Sequence, residues 1–245
     1  MRSGTITGKK PSLAALRTEF ERAADPTTAK ALSRFFKTGK GEYAQGDRFL
    51  GLMVPQTRLL AAKFRGLPDK DIFALLRSPW HEERLCALLM LKEKFLRGGT
   101  KEKAGIYRGY LSNTRFINNW DLVDITAPEI VGGWLKDKSK RPLHELAASG
   151  LLWERRIAVL ACFKFIQVGE SSDALAIAGK LLSDGHDLMH KAVGWMLREV
   201  GKRCSETILL DFLRENYQRL PRTALRYAIE RFPETKRKKL LAGIF

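Results

Sequence analysis

Apolar residues recur at three- and four-residue spacing along nearly the whole chain, as in Ile72, Leu75 and Leu76. That is the period of an amphipathic helix, not the alternation of a half-buried strand. Helix punctuation is dense. Asp25–Pro26 supplies a cap and a first-turn proline for TTAKALSRFFK. Pro55 opens QTRLLAAKF, Pro68 opens DKDIFALLR, Pro221 opens RTALRYAIERF and Pro233 opens ETKRKKLLAGIF. Gly98–Gly99 closes HEERLCALLMLKEKFLR, as glycine does at helix ends. Helical segments joined by short loops predict an all-α array.

An internal repeat gives the array a period. EERLCALLMLK (82–92) aligns without gaps on ERRIAVLACFK (154–164), pairing Glu82 with Glu154, Arg84 with Arg156 and Lys92 with Lys164. The offset of 72 is two periods of 36. Trp120, Arg156 and Trp195 are separated by 36 and 39 residues. Such spacing is close to that of two-helix solenoid repeats, in which residues one period apart stack on one wall. The expected architecture is a single α-solenoid domain over residues 1–245, with 1–11 flexible. Its concave face would carry two indoles and a guanidinium.

Composition narrows the partner. The 245 residues hold 44 Lys+Arg against 27 Asp+Glu, a net charge of +17. A hydrophobic content of 44% supports a real core and excludes a disordered chain. So much positive charge makes a polyanion, nucleic acid foremost, the leading partner, because neutralised phosphates release counterions. Apolar stretches such as ALLML and IAVLACF fall far short of the roughly 20 residues a membrane span needs. MRSGTITGKKP lacks the apolar region of a secretory signal. Cys86, Cys162 and Cys204 are odd in number and lie largely in helical runs, which suits buried thiols in a reducing cytoplasm. A monomer, nucleoid-associated when bound to DNA, is expected.

Trp120 and Asp124 are i and i+4 and share a helix face; Asp121 points elsewhere. A carboxylate in a basic groove repels phosphate, so it makes sense only where positive charge must be stabilised. The competing reading is structural: Trp120 in the core, and Asp124 paired with a nearby arginine such as Arg156.

These residues resemble the AlkD-type DNA alkylation-repair glycosylases, built from HEAT-like repeats. FLGLMVPQTR, NWDLVD, WERRIAVL and KAVGWMLRE are each similar to a segment of that family; the last is the most specific. The resemblance implies a HEAT-like solenoid with a basic concave face, acting on double-stranded DNA containing alkylated purines. It implies a monofunctional glycosylase for cationic N3- and N7-alkylpurines, working without base flipping. It places Asp124 as the catalytic carboxylate, Trp120 and Trp195 as indoles flanking the lesion nucleotide, and Arg156 as a DNA-contacting arginine.

The chemistry matches those residue types. Alkylation leaves the purine cationic and its glycosidic bond weak, so the base departs without a general acid. The sugar gains oxocarbenium character, which an anion stabilises and indole faces attract. No metal or organic cofactor is required. Arg84, Lys191, Arg48 and Arg198 are candidate phosphate contacts, Arg84 because it shares phase with Arg156; Arg58 and the RKK run at 237–239 are weaker ones. His186 and His190 have zinc-motif spacing but lack its glutamate, and read as a helix start with exposed imidazoles. GTITGKKP and TGKGEY lack phosphate-loop spacing. Phe35, Phe36, Phe73 and Phe95, with Trp80 and Trp153, read mainly as packing residues. Two other functions fit the scaffold: a non-catalytic binder of damaged or branched DNA, and a protein-interaction platform.

Overall fold

The computed structural model describes residues 11–245. The expectations for the segment before Pro11 lie outside the described residues. The fold is all-α; among the described residues the β pairing is an isolated bridge between Arg48 and Trp80. The chain divides into two compact units, one ending at Lys94 and the other running from Phe95 to Phe245. No helix among the described residues is long and apolar enough to cross a membrane.

The first unit holds α1 (Leu13–Ala23), α2 (Pro26–Phe35), α3 (Val54–Lys63), α4 (Asp69–Leu76) and the start of α5 (His81–Arg97). Leu16 and Phe20 of α1 bury completely with Ile72, Leu75 and Leu76 of α4. The capping signals act as expected. The Asp25 carboxylate accepts from the Thr27 and Thr28 amides, and Pro26 opens the helix. Phe36 and Phe95 are buried, but Phe35 is 63% exposed and edges against the Phe36 ring at 5.0 Å.

The connection into α3 is held by buried charge. Glu82, in the first turn of α5, accepts from the backbone amides of Leu50, Gly51 and Leu52 at 3.0, 2.8 and 3.2 Å. Three donors on one carboxylate compensate its burial. Gly51 has φ +96°, and a Cβ there would lie 2.0 Å from the Asp25 carbonyl oxygen. This explains the Phe-Leu-Gly segment: only glycine fits the backbone conformation and the approach. Gly51→Ala is expected to cost about 2–3 kcal/mol, combining left-handed strain with overpacking. Urea unfolding checks this; an unchanged midpoint would show that the segment relaxes freely.

The second unit continues with α6 (Thr100–Leu111), α7 (Trp120–Ala127), a π-helical turn (Pro128–Gly132), α8 (Gly133–Leu135) and α9 (Arg141–Ala147). Then come α10 (Leu152–Ala161), α11 (Phe163–Ile166), α12 (Ser172–Leu181), α13 (Asp187–Arg203), α14 (Glu206–Asn216), α15 (Arg222–Ala228) and α16 (Glu234–Leu241). α10 packs on both α7 and α13, and α13 packs on α15. Two glycines allow close helix approach. A Cβ at Gly132 would lie 2.3 Å from the Ala161 carbonyl oxygen, and one at Gly194 would lie 2.4 Å from that of Ala224. Ile157, Val159, Leu160, Phe165, Ile177 and Met189 fill the space between these helices.

Candidate active site

The site grows from the start of α7. The Asn119 side chain caps the helix by accepting from the Trp120 amide at 2.8 Å, and Asp124 follows one turn later. Four residues after Asp124 stands Pro128, which has no N–H to give the Asp124 carbonyl. The helix widens there into the π turn, a departure that often accompanies functional positions.

Arg156 of α10 reaches across to this turn. Its Nε donates to Asp124 Oδ1 and its Nη2 to Oδ2, both at 2.8 Å. Its Nη1 donates to the Leu188 carbonyl, in the first turn of α13, at 2.7 Å. One guanidinium thus ties α7, α10 and α13 together. The α13 end of this clamp is itself fixed. Arg155 Nε donates to Asp184 Oδ2 at 2.6 Å. Asp184 Oδ1 accepts from the His186 amide at 2.9 Å, and His186 Nδ1 caps α13 by accepting from the Leu188 amide at 3.1 Å.

The Arg156 side chain is 6% exposed and that of Asp124 is 17% exposed. The acid is therefore anchored by the arginine and keeps only a small solvent-accessible part. Burial pushes the Asp124 carboxyl above its ordinary value, the bond and charge of Arg156 pull it down, and the charge of Asp121 adds a further upward push. Desolvation of the anion is the larger influence. Behind α7, the buried Tyr110 hydroxyl lies 3.0 Å from Thr126 Oγ1, and burial raises its pKa strongly, with the Asp124 charge contributing.

The 36- and 39-residue spacings place the predicted residues on packed helices but at different positions within them. Helices α7, α10 and α13 start 32 and 35 residues apart. Trp120 is therefore the first residue of α7, Arg156 the fifth of α10 and Trp195 the ninth of α13. Asp124, Arg156 and Lys191 are each fifth in their helices, and the contact Arg156 makes is with Asp124. Trp120 and Trp195 are half-buried, and the Trp195 ring lies 6.4 Å from that of Phe163. Trp195 also sits seven residues beyond Leu188, about 10 Å along α13 on the same face.

The profile of the DNA alkylation repair enzyme family matches residues 16–232. The chain belongs to this family. It is similar in fold to a solved structure described as a predicted DNA alkylation repair enzyme from Enterococcus faecalis, with a TM-score of 0.67 and 17% identity. That alignment covers 86% of this chain and 97% of the other. No curated protein matches the sequence.

In this DNA alkylation repair protein the candidate phosphate contacts divide by burial. Arg48 is exposed. Lys191 pairs with Asp187 at 2.8 Å and is 40% exposed. Arg198 is engaged by Glu230 and Glu199. Arg84 must be corrected: it is 4% exposed, pairs with Asp47 at 2.9 Å and donates to the Ser78 and Pro79 carbonyls. A guanidinium so enclosed is out of reach of a phosphate. Its shared phase with Arg156 reflects a shared habit instead, since each arginine is buried against an aspartate. Arg156 likewise spends three N–H groups inside the protein, so its hold is on Asp124. The sequence reading missed Arg155 and Asp184 as its supports; their only trace is the cap at His186. The imidazoles of His186 and His190 are half-buried, not exposed.

Proposed function

We propose that this repair protein hydrolyses the N-glycosidic bond of cationic N3- and N7-alkylated purines in duplex DNA. The observation that carries the reading is the Asp124 carboxylate, locked bidentately by a buried arginine yet not sealed from solvent. An ionised carboxylate has about four lone-pair sites, and Arg156 takes two. The remaining sites are free to face a developing cation and a water molecule.

The bond between C1′ and the purine nitrogen breaks heterolytically. The departing base keeps the electron pair and leaves neutral, because alkylation had made it cationic. The oxocarbenium sugar is stabilised by Asp124. Water adds at C1′ and gives up its proton to Asp124 or solvent. The products are free base and an abasic site. Arg156 is a positioning residue. Trp120 and Trp195 supply aromatic faces toward the charged nucleotide, and Arg48 and Lys191 approach phosphates. Because the base leaves without an acid, it need not be flipped into an enclosing pocket, unlike the usual glycosylase route. The further proposals are a HEAT-like solenoid with a basic concave face, a monomer, and a cytoplasmic, nucleoid-associated location.

The test is chromatography of purines released from duplex DNA methylated at N7 of guanine. Release is expected, and its pH profile should lose activity as pH falls through the Asp124 pKa. That value is raised above 3.8, so the acid limb should appear at higher pH than an unperturbed aspartate gives. Absence of release would defeat the hydrolytic reading. A non-catalytic DNA binder is the second reading. It is favoured by the same ion pair, since Arg156 partly neutralises Asp124 as a purely structural partner would.

A further inference from the structure

The outward face of α13 forms one continuous stripe. Leu188, Lys191, Trp195, Arg198 and Lys202 recur at spacings that keep them on one side of the helix. All five are half-buried or exposed, whereas Met189, Ala192, Val193, Met196, Leu197 and Val200 are buried. The stripe begins at the Leu188 carbonyl that receives Arg156. About 20 Å further along, at 1.5 Å per residue, it ends in a cleft.

The cleft has a volume of 200 Å³ and is bounded by Arg198, Lys202, Arg231, Leu209 and Phe232, with Glu206 at its edge. Its acids and bases are unequally committed. Glu206 is taken by Lys236, and Arg198 by Glu230. Lys202 and Arg231 are exposed and have no ion-pair partner among the described residues. Two unspent cations therefore border an apolar floor. The volume falls below the roughly 300–1,000 Å³ of typical organic-ligand pockets. It suits a phosphate with part of its sugar.

We propose that this cleft is a second DNA-backbone site, taking one phosphodiester group flanking the lesion. Lys202 and Arg231 meet the phosphate oxygens, and Leu209 and Phe232 lie under the deoxyribose. The inference rests on the duplex-DNA reading above and extends it to a site that the Asp124 chemistry does not use.

The experiment is a salt titration of binding to unmodified duplex DNA, comparing the unsubstituted protein with Lys202→Gln/Arg231→Gln and with Lys202→Arg/Arg231→Lys. Each lost phosphate contact flattens the plot of log affinity against log salt by about 0.9. The glutamine pair should flatten it by nearly 2, the charge-conserving pair should not, and both should melt like the parent because both side chains are exposed. An unchanged slope in the glutamine pair, with binding intact, overturns the cleft alone. No DNA binding by the unsubstituted protein overturns the duplex reading and the cleft with it.

Discussion

Asp124→Asn is expected to slow single-turnover release of N7-methylguanine by on the order of 10²–10³-fold, the scale of losing one preorganised charge-stabilising group. Affinity for unmodified duplex should not fall, since the substitution removes a negative charge and no positive one. The amide keeps the shape of the carboxylate and one acceptor for Arg156, but it turns an N–H toward the second guanidinium donor. A stability loss of about 1–3 kcal/mol follows from that mismatch, so rates should be compared well below the melting transition. Undiminished release would remove Asp124 from the chemistry and leave the buried ion pair as architecture.

Arg156→Ala has the largest expected effect on the fold. It strands a mostly buried carboxylate and also frees the Leu188 carbonyl at the start of α13. Removing one partner of a buried pair costs about 3–5 kcal/mol, because an uncompensated charge remains inside. The same deletion removes the influence that holds the Asp124 pKa down, so the acid limb of any residual activity should move to still higher pH. The sign follows from the anion being the working form: the higher its pKa, the sooner acid removes it. Urea unfolding and the pH–rate profile read the two effects separately. A stability loss under about 1 kcal/mol would mean that the pair behaves as a solvated surface bridge. Arg156→Lys should fall between, keeping the charge but losing the bidentate fork.

Much of the molecule was legible in local pattern. Asp25–Pro26, Pro68, Gly98–Gly99 and Pro221 mark helix ends because caps and turns are settled by a few neighbouring residues. Trp120 and Asp124 share a face because an i, i+4 relation is intrinsic to one helix. The alignment of Arg84 with Arg156 paired two arginines that are each buried against an aspartate. It did not signal that burial, and the phosphate role expected of Arg84 failed on that point.

Sequence alone thus determined the all-α class, the helix ends marked by proline and glycine, and the pairing of an indole with an acid on one turn. These follow from backbone hydrogen bonding and side-chain periodicity within a single segment. Tertiary structure decided which residues meet, because α10 packs on both α7 and α13. It therefore decided that Arg156 spends its donors on Asp124 and the Leu188 carbonyl. Burial and partner choice between helices depend on packing across long separations, and no short motif encodes them.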